Sequence, residues 1–307
     1  MKKKTRKILM ILLSLVLLVS GSVVVSHEVQ YRQGDEDYTD AADLVGLPDV
    51  SDIQVPQPID LDDTDENPPQ EVWVDPYADA LASMDFAALR EVNSDVLGWI
   101  MIPNSAISYP MVQGDNNNYY LKRTWRRSSS VVGAIFLDAQ CSSDFSDFNT
   151  IIYGHRMNNG SMFAGLAKYK NLSYYKNHPT VYITDDAGSR AYQIFAAYEV
   201  SVTGDTYRLG ITEKTDKQAY IDYCLSQSLY DTGVVPTVYD SIVTLSTCTG
   251  RGHATRWVVQ AMLRGEAPVE DVVETPAENV VPPVEEVVTE DTQPPETDID
   301  AETIPAA

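Results

Sequence analysis

Seven short runs rich in β-branched and aromatic residues follow one another through the middle of the chain: GWIMI (98–102), VVGAIFLD (131–138), NTIIYG (149–154), TVYIT (180–184), AYQIFAAYEVSV (191–202), DSIVTLSTC (240–248) and RWVVQAML (256–263). Each is bounded by turn formers, the pattern of strands rather than of buried helices. Two helical patterns interrupt them. ADALASMDFAALREVN (78–93) sets Leu81, Met84, Ala88 and Leu89 on one face. TEKTDKQAYIDYCLSQS (212–228) opens with a capping-type threonine and predicts burial of Ala219, Ile221, Tyr223 or Cys224, and Leu225. Many short strands and few helices predict a mainly β fold, a closed or nearly closed barrel. There is no internal repeat.

Charge marks the limits of this unit. The chain of 307 residues carries a net charge of -23, but residues 90–264 hold 16 basic and 15 acidic side chains. No Lys or Arg occurs between Gln33 and Leu89, and none after Arg264. Both flanks combine acid with proline, the composition of solvated segments that bury too little apolar surface to offset chain entropy. The reading is an acidic, Pro-containing disordered linker over 27–76, a self-sufficient catalytic domain over 77–264, and an acidic, Pro-rich disordered tail over 265–307. A near-neutral domain offers no basic surface for nucleic acid.

The first 26 residues pair a basic head, Lys2 to Lys7, with an apolar stretch from Ile8 to about Val25. At 1.5 Å per residue that stretch spans about 27 Å, close to a bilayer's hydrocarbon core. No convincing small-x-small cleavage site follows, so residues 1–26 read as a cytoplasmic head and signal-anchor helix. The positive-inside tendency then places the rest of the chain outside the cell membrane.

Only 3 Cys occur, and Cys248 stands where one strand run stops, eight residues before Arg256 opens the next. A nucleophilic thiol needs a partner for its proton and a positive group beside the developing oxyanion. Among the 4 His, His27 lies beside the membrane stretch, and His178 and His253 lie in loops. His155 alone sits just beyond a strand run, as Cys248 does. Two such residues meet at one rim of a barrel. Taken singly, Cys248 also reads as a small buried apolar residue and His155 as a hydrogen-bonded turn histidine. Cys141, in a polar loop, and Cys224, in the second helical pattern, read as ordinary unpaired thiols. No metal-ligand spacing appears, and no cofactor is expected.

The combination is more specific than its parts. YGH after a strand, TLSTC ending another and Arg256 opening RWVV closely resemble the signature set of sortases, membrane-anchored cysteine transpeptidases of Gram-positive surfaces. LGWIMIPNSAISYPMVQGDNNNYYL, GAIFLDAQ, NTIIYGHRM and SMFAGLAKY narrow the resemblance to class B, over about residues 93–263. It implies an eight-stranded β-barrel with N-terminal helices and a helix in the loop before the catalytic cysteine strand. Cys248 would attack the threonine carbonyl of a C-terminal sorting motif and form a thioacyl-enzyme. His155 would manage protons, and Arg256 would hold the oxyanion or the motif backbone. The acceptor would be an amine of a lipid-linked peptidoglycan precursor or a pilin lysine. Asn117, Leu121, Thr203, Tyr207 and Ser246 match positions lining the class B substrate groove. Thr249 departs from the pattern, because several relatives have an acid directly after the cysteine. QPPETD (293–298) resembles a PPxTG motif with Asp298 replacing the glycine, which raises an uncleaved pseudosubstrate in the tail. Two other readings stay open: a different extracellular Cys–His wall-peptide enzyme, which would not need Arg256, and a non-catalytic surface-binding module, which would tolerate loss of Cys248.

Overall fold

All seven predicted runs form strands in the computed structural model, which describes residues 3–53, 75–250 and 254–265. They are β1 (Val96–Met101), β3 (Ile135–Leu137), β4 (Asn149–Tyr153), β5 (Thr180–Asp185), β6 (Gly188–Ser201), β7 (Ile242–Cys248) and β8 (Thr255–Leu263), joined by an eighth, β2 (Ser108–Val112). The sequence pattern passes over β2 because Pro110 stands in its middle, and proline cannot donate to a ladder. Its parallel partner β3 engages only Met111 and Val112, so Pro110 interrupts nothing on that side. The strands close a barrel in the order β1-β2-β3-β4-β7-β8-β6-β5. Neighbours are antiparallel except for β2 with β3 and β4 with β7.

Alternation along β7 and β8 shows how the wall is used. Val243, Leu245, Trp257, Val259 and Ala261 join the main core, while Ile242 and Val258 join a second core outside the wall with Phe195, Tyr198, Val200, Tyr220, Ile221 and Cys224. Successive strand residues point to opposite faces. Ser246, Cys248 and Arg256 therefore share the outer face. That outer core is roofed by the helix predicted before the cysteine strand, here Lys214–Gln227. It buries Tyr220, Ile221 and Cys224, leaves Ala219 exposed, and has Glu213 at its N-cap with no side-chain cap, so the threonine cap does not form. Complete burial of Ile221 is worth about 1.5–3 kcal/mol.

The N-terminal helices differ from expectation in two ways. The pattern at 78–93 divides into two short helices, Ala78–Leu81 and Ala87–Val92. The break frees the Asp85 N–H for the carbonyl of Val45 at 3.1 Å, and the Asp85 carboxylate accepts from Ala87 N at 2.9 Å to restart the turn. The larger difference lies upstream. The helix α1 runs from Lys3 to Val45, so the segment expected to begin a disordered linker at residue 27 is helical for its first 19 residues. Gly34, Tyr38, Ala41 and Val45 are buried against the barrel, and Tyr31 is partly buried there. Their spacing of three and four residues makes one stripe on a helix. Residues 54–74, most of the remaining linker, and the tail with its QPPETD motif lie outside the described residues.

Candidate active site

Cys248 and Arg256 stand directly opposite each other in the antiparallel register of β7 and β8. Such pairs project to one face with Cβ atoms about 4.5–5.5 Å apart. Both side chains are half-buried, on the outer face of the wall. The Arg256 Nη1 donates to the Thr255 carbonyl at 3.0 Å, which holds the guanidinium along its own strand.

The third residue arrives through β4, which runs parallel to β7 with Tyr153 level with Ser246. Pairing continues for one more residue, since Gly154 N donates to the Ser246 carbonyl at 3.1 Å. His155 follows at once, at the rim where β7 ends in Cys248. Its Nε2 lies 2.7 Å from the Leu121 carbonyl. A carbonyl only accepts, so Nε2 carries the hydrogen and Nδ1 is left to take and give a proton. The ring is seated against Gly133. That residue has φ +62°, and a Cβ there would stand 2.7 Å from His155 Cδ2 and 2.9 and 3.0 Å from the carbonyls of Tyr120 and Leu121. Only glycine satisfies both the left-handed backbone and the close approach.

The five residues carried over as groove positions fall into two groups. Tyr207 and Ser246 touch, with hydroxyls 2.8 Å apart, and the Tyr207 ring stacks on Tyr153 at 6.5 Å. Burial pushes the Tyr207 hydroxyl up to about 12, against the opposing effects of the Ser246 hydrogen bond and the Arg256 charge, so it stays a donor at neutral pH. Asn117 is fixed by Asp138, donating Nδ2 to its carboxylate at 2.8 Å and accepting from Ala139 N at 2.8 Å. Leu121 contributes its carbonyl to His155, as described. Thr203 is exposed in a loop, with its hydroxyl 3.1 Å from that of Ser201, and among the described residues no hydrogen bond joins it to the other four.

Three residues that the sequence reading missed complete the arrangement. Asp138 is buried and accepts from both Asn117 and the Tyr153 hydroxyl, the latter at 3.0 Å. Through Tyr153 and its stack on Tyr207, the Asn117 loop is tied to the wall beside Cys248. Burial raises the Tyr153 hydroxyl far above its usual range, so it too remains a donor. Glu199, on β6, supplies an acid near Thr249. Its carboxylate accepts from the Thr255 hydroxyl at 2.8 Å, and that hydroxyl lies 2.9 Å from the one on Thr249. The three form a clasp across the connection between β7 and β8. Asp138 lay at the end of a strand run in the sequence, and Glu199 within one, so nothing in the pattern separated them from ordinary edge charges.

Cys141 and Cys224 are free and buried, and burial pushes both thiols up to about 11. Cys248, half-exposed, is the accessible thiol among the described residues. His253 lies outside them. Two clefts of about 340 and 280 Å³ lie where α1 meets the barrel, the first lined by Tyr38, Tyr109 and Ser161 and the second by Asp37, Thr124 and Ser130, and neither is lined by Cys248, His155 or Arg256.

Residues 100–264 match the sortase domain family. Sortase B of Listeria monocytogenes is 37% identical over 160 residues, an alignment covering 52% of this chain and 65% of the relative, just under two thirds of its length. A Staphylococcus aureus sortase B–substrate complex superposes with a TM-score of 0.56 at 31% identity, covering 58% of this chain and 84% of that one. A sortase B structure complexed with triglycine superposes with a TM-score of 0.55 at 32% identity, covering 58% and 85%. The matched span contains the whole closed barrel from β2 onward and every residue of the Cys248, His155 and Arg256 constellation, so the chain belongs to the sortase family, among its class B members.

Proposed function

We propose that the protein is a membrane-anchored cysteine transpeptidase acting on surface proteins with a C-terminal sorting motif. The observation that carries this reading is the register that sets Cys248 opposite Arg256, with His155 seated where β4 continues beside the end of β7. The Cys248 thiolate attacks the carbonyl carbon of the motif threonine. A C–S bond forms, and the carbonyl oxygen gains the negative charge that the Arg256 guanidinium stabilises. His155, protonated, gives its Nδ1 proton to the departing amine as the C–N bond breaks, leaving a thioester. An incoming amine attacks that thioester, its proton passes to His155, and Cys248 leaves as thiolate. The balance needs no oxidant or metal.

Asn117, Leu121, Tyr207 and Ser246 form the proposed seat of the motif, with Thr203 at its edge. The staphylococcal relative was solved as a substrate complex and another sortase B with triglycine, which supports a peptide donor and an amine acceptor as the two substrates. The acceptor is an amine of a lipid-linked peptidoglycan precursor or a pilin lysine. The apolar part of α1 is long enough to cross a bilayer, and the basic head holds the N-terminus inside with the barrel outside the cell.

The test offers full-length protein in detergent a panel of sorting peptides with several amines and sequences the products. A peptide joined through its threonine to the amine, absent with Cys248→Ala, is the expected result. Hydrolysis alone that survives Arg256→Ala would favour another Cys–His wall-peptide enzyme. No product from wild type, with the peptide bound equally by wild type and Cys248→Ala, would leave a binding module.

A further inference from the structure

The cradle that seats His155 does not end within the barrel. Gly133, against the imidazole edge, accepts through its carbonyl the Tyr38 hydroxyl of α1 at 2.6 Å, a contact between residues 95 apart in sequence. Its neighbour Val132 packs against Gly34 of α1, where a Cβ would collide with Val132 Cγ2. Ala134 N donates to the Tyr120 carbonyl at 3.0 Å, and the next carbonyl, that of Leu121, holds His155 Nε2. α1 grips the other side of this turn as well. The buried Trp125 donates Nε1 to the Asp37 carbonyl at 2.8 Å, and Arg126 pairs with Asp37 at 3.6 Å and Asp40 at 3.2 Å. The Trp125 carbonyl in turn accepts from Asn93, which also donates to the Tyr120 hydroxyl at 2.8 Å. The Tyr38 ring is held edge-on to Tyr109 at 5.2 Å, and the Tyr109 hydroxyl accepts from Met162 N at 2.8 Å, one residue before Phe163, whose N–H donates to the His155 carbonyl at 2.9 Å. Two routes therefore run from Tyr38 to His155, one to its ring and one to its backbone.

We propose that Tyr38, on the extramembrane part of α1, is a positioning residue for His155, so that the helix leaving the membrane stretch forms one wall of the histidine's seat. Tyr38 touches neither substrate nor the reacting atoms; it acts through Gly133. The inference deepens the transpeptidase reading and rests on it for the catalytic consequence, whereas its structural part is independent. A hydroxyl bonded to the glycine that abuts the ring fixes the peptide on which the imidazole leans. Displacement of a proton-transferring group by about 1 Å costs on the order of a hundredfold in rate.

The experiment uses the full-length chain in detergent with Tyr38→Phe, which keeps the ring against Tyr109 and removes only the hydrogen bond, and with Gly133→Ala as the direct intrusion on the imidazole. Two readouts are taken: kcat and KM with a sorting peptide and an amine, and the imidazole cross-peaks of ¹³C-histidine-labelled protein, that of His155 assigned by its loss in His155→Gln. For Tyr38→Phe the expected result is a roughly three- to tenfold lower kcat, the worth of one hydrogen bond, at unchanged peptide KM. The His155 cross-peak moves, while that of His178, bonded to the Tyr174 and Asn104 carbonyls, stays in place. Gly133→Ala moves the same peak further and lowers kcat on the order of a hundredfold. An unmoved His155 peak in Tyr38→Phe overturns the proposal whether or not kcat falls, and a moved peak with wild-type kcat overturns its catalytic part. If wild type turns over no peptide while the peak still moves, the positioning stands and the transpeptidase reading fails.

Discussion

Cys248, His155 and Arg256 are each at or next to a strand end, where a side chain reaches the rim without bearing on the core. Cys248→Ala is therefore expected to abolish peptide transfer while shifting the melting temperature by no more than about 2 °C, checked by calorimetry beside the transfer assay. Arg256→Lys is expected to lose almost as much activity as Arg256→Ala, because a point charge cannot copy a planar fork of donors. Near-normal turnover in the lysine variant would show that charge alone suffices. Asp138 was invisible as a site residue in the sequence, and the structure gives it the task of orienting Asn117. Asp138→Asn must turn its amide donor either toward Asn117 Nδ2 and the Tyr153 hydroxyl or toward Gln140 N, all of which the carboxylate now accepts from, so the seat of Asn117 loosens and peptide KM is expected to rise roughly tenfold, the worth of a charge-assisted hydrogen bond. Steady-state kinetics with a sorting peptide at several concentrations read this directly. The three residues proposed as catalytic could be picked out in the sequence because the chemistry proposed for them calls for those residue types at strand ends. Their supports were not, since Asp138, Glu199 and Gly133 act through folding partners 15 or more residues away.

Among the elements, the predicted strands held because period-2 alternation is local, and β2 escaped because the exemption of Pro110 depends on where β3 begins. The extension of α1 was legible and overlooked: residues 31, 34, 38, 41 and 45 form a helical stripe, but the surrounding Asp and Glu gave the segment the composition of a linker. β8 hides a polar residue inside an apolar run. Gln260 is fully buried on the outer face, accepting from the Tyr198 hydroxyl at 2.8 Å and donating to the hydroxyls of Tyr220 at 2.9 Å and Thr244 at 3.0 Å. It thereby ties β6, β7, β8 and the roofing helix in one network. Gln260→Leu removes all three bonds at once and is expected to lower unfolding free energy by about 2–4 kcal/mol, measured as a lower urea midpoint.

At the scale of the molecule, burial sets a limit in alkali. The hydroxyls of Tyr120, Tyr192, Tyr207 and Tyr230 are each pushed up to about 12, chiefly by desolvation. In the unfolded chain they ionise near their ordinary value of 10. Above that pH the unfolded state binds fewer protons than the folded one, so stability falls as pH rises. The protein is expected to hold full stability below about pH 10 and to lose it progressively toward pH 12, with tyrosinate absorbance and loss of β-sheet dichroism rising together. The docked helix also changes what counts as the folding unit. A chain beginning at residue 77, the boundary read from composition, forgoes burial of Tyr38, Ala41 and Val45, and is expected to melt at least about 5 °C below one beginning at residue 28. Because α1 leaves the apolar stretch and reaches the barrel as one uninterrupted helix, it also behaves as a caliper. Twelve residues separate Ser26 from Tyr38, a rise of about 18 Å, so under the membrane-anchored reading proposed above the cysteine rim stands at a set height above the bilayer rather than swinging on a tether. A cargo protein whose sorting motif lies too close to its own membrane segment, or too far from it, would be passed over for its spacing alone, however good the motif.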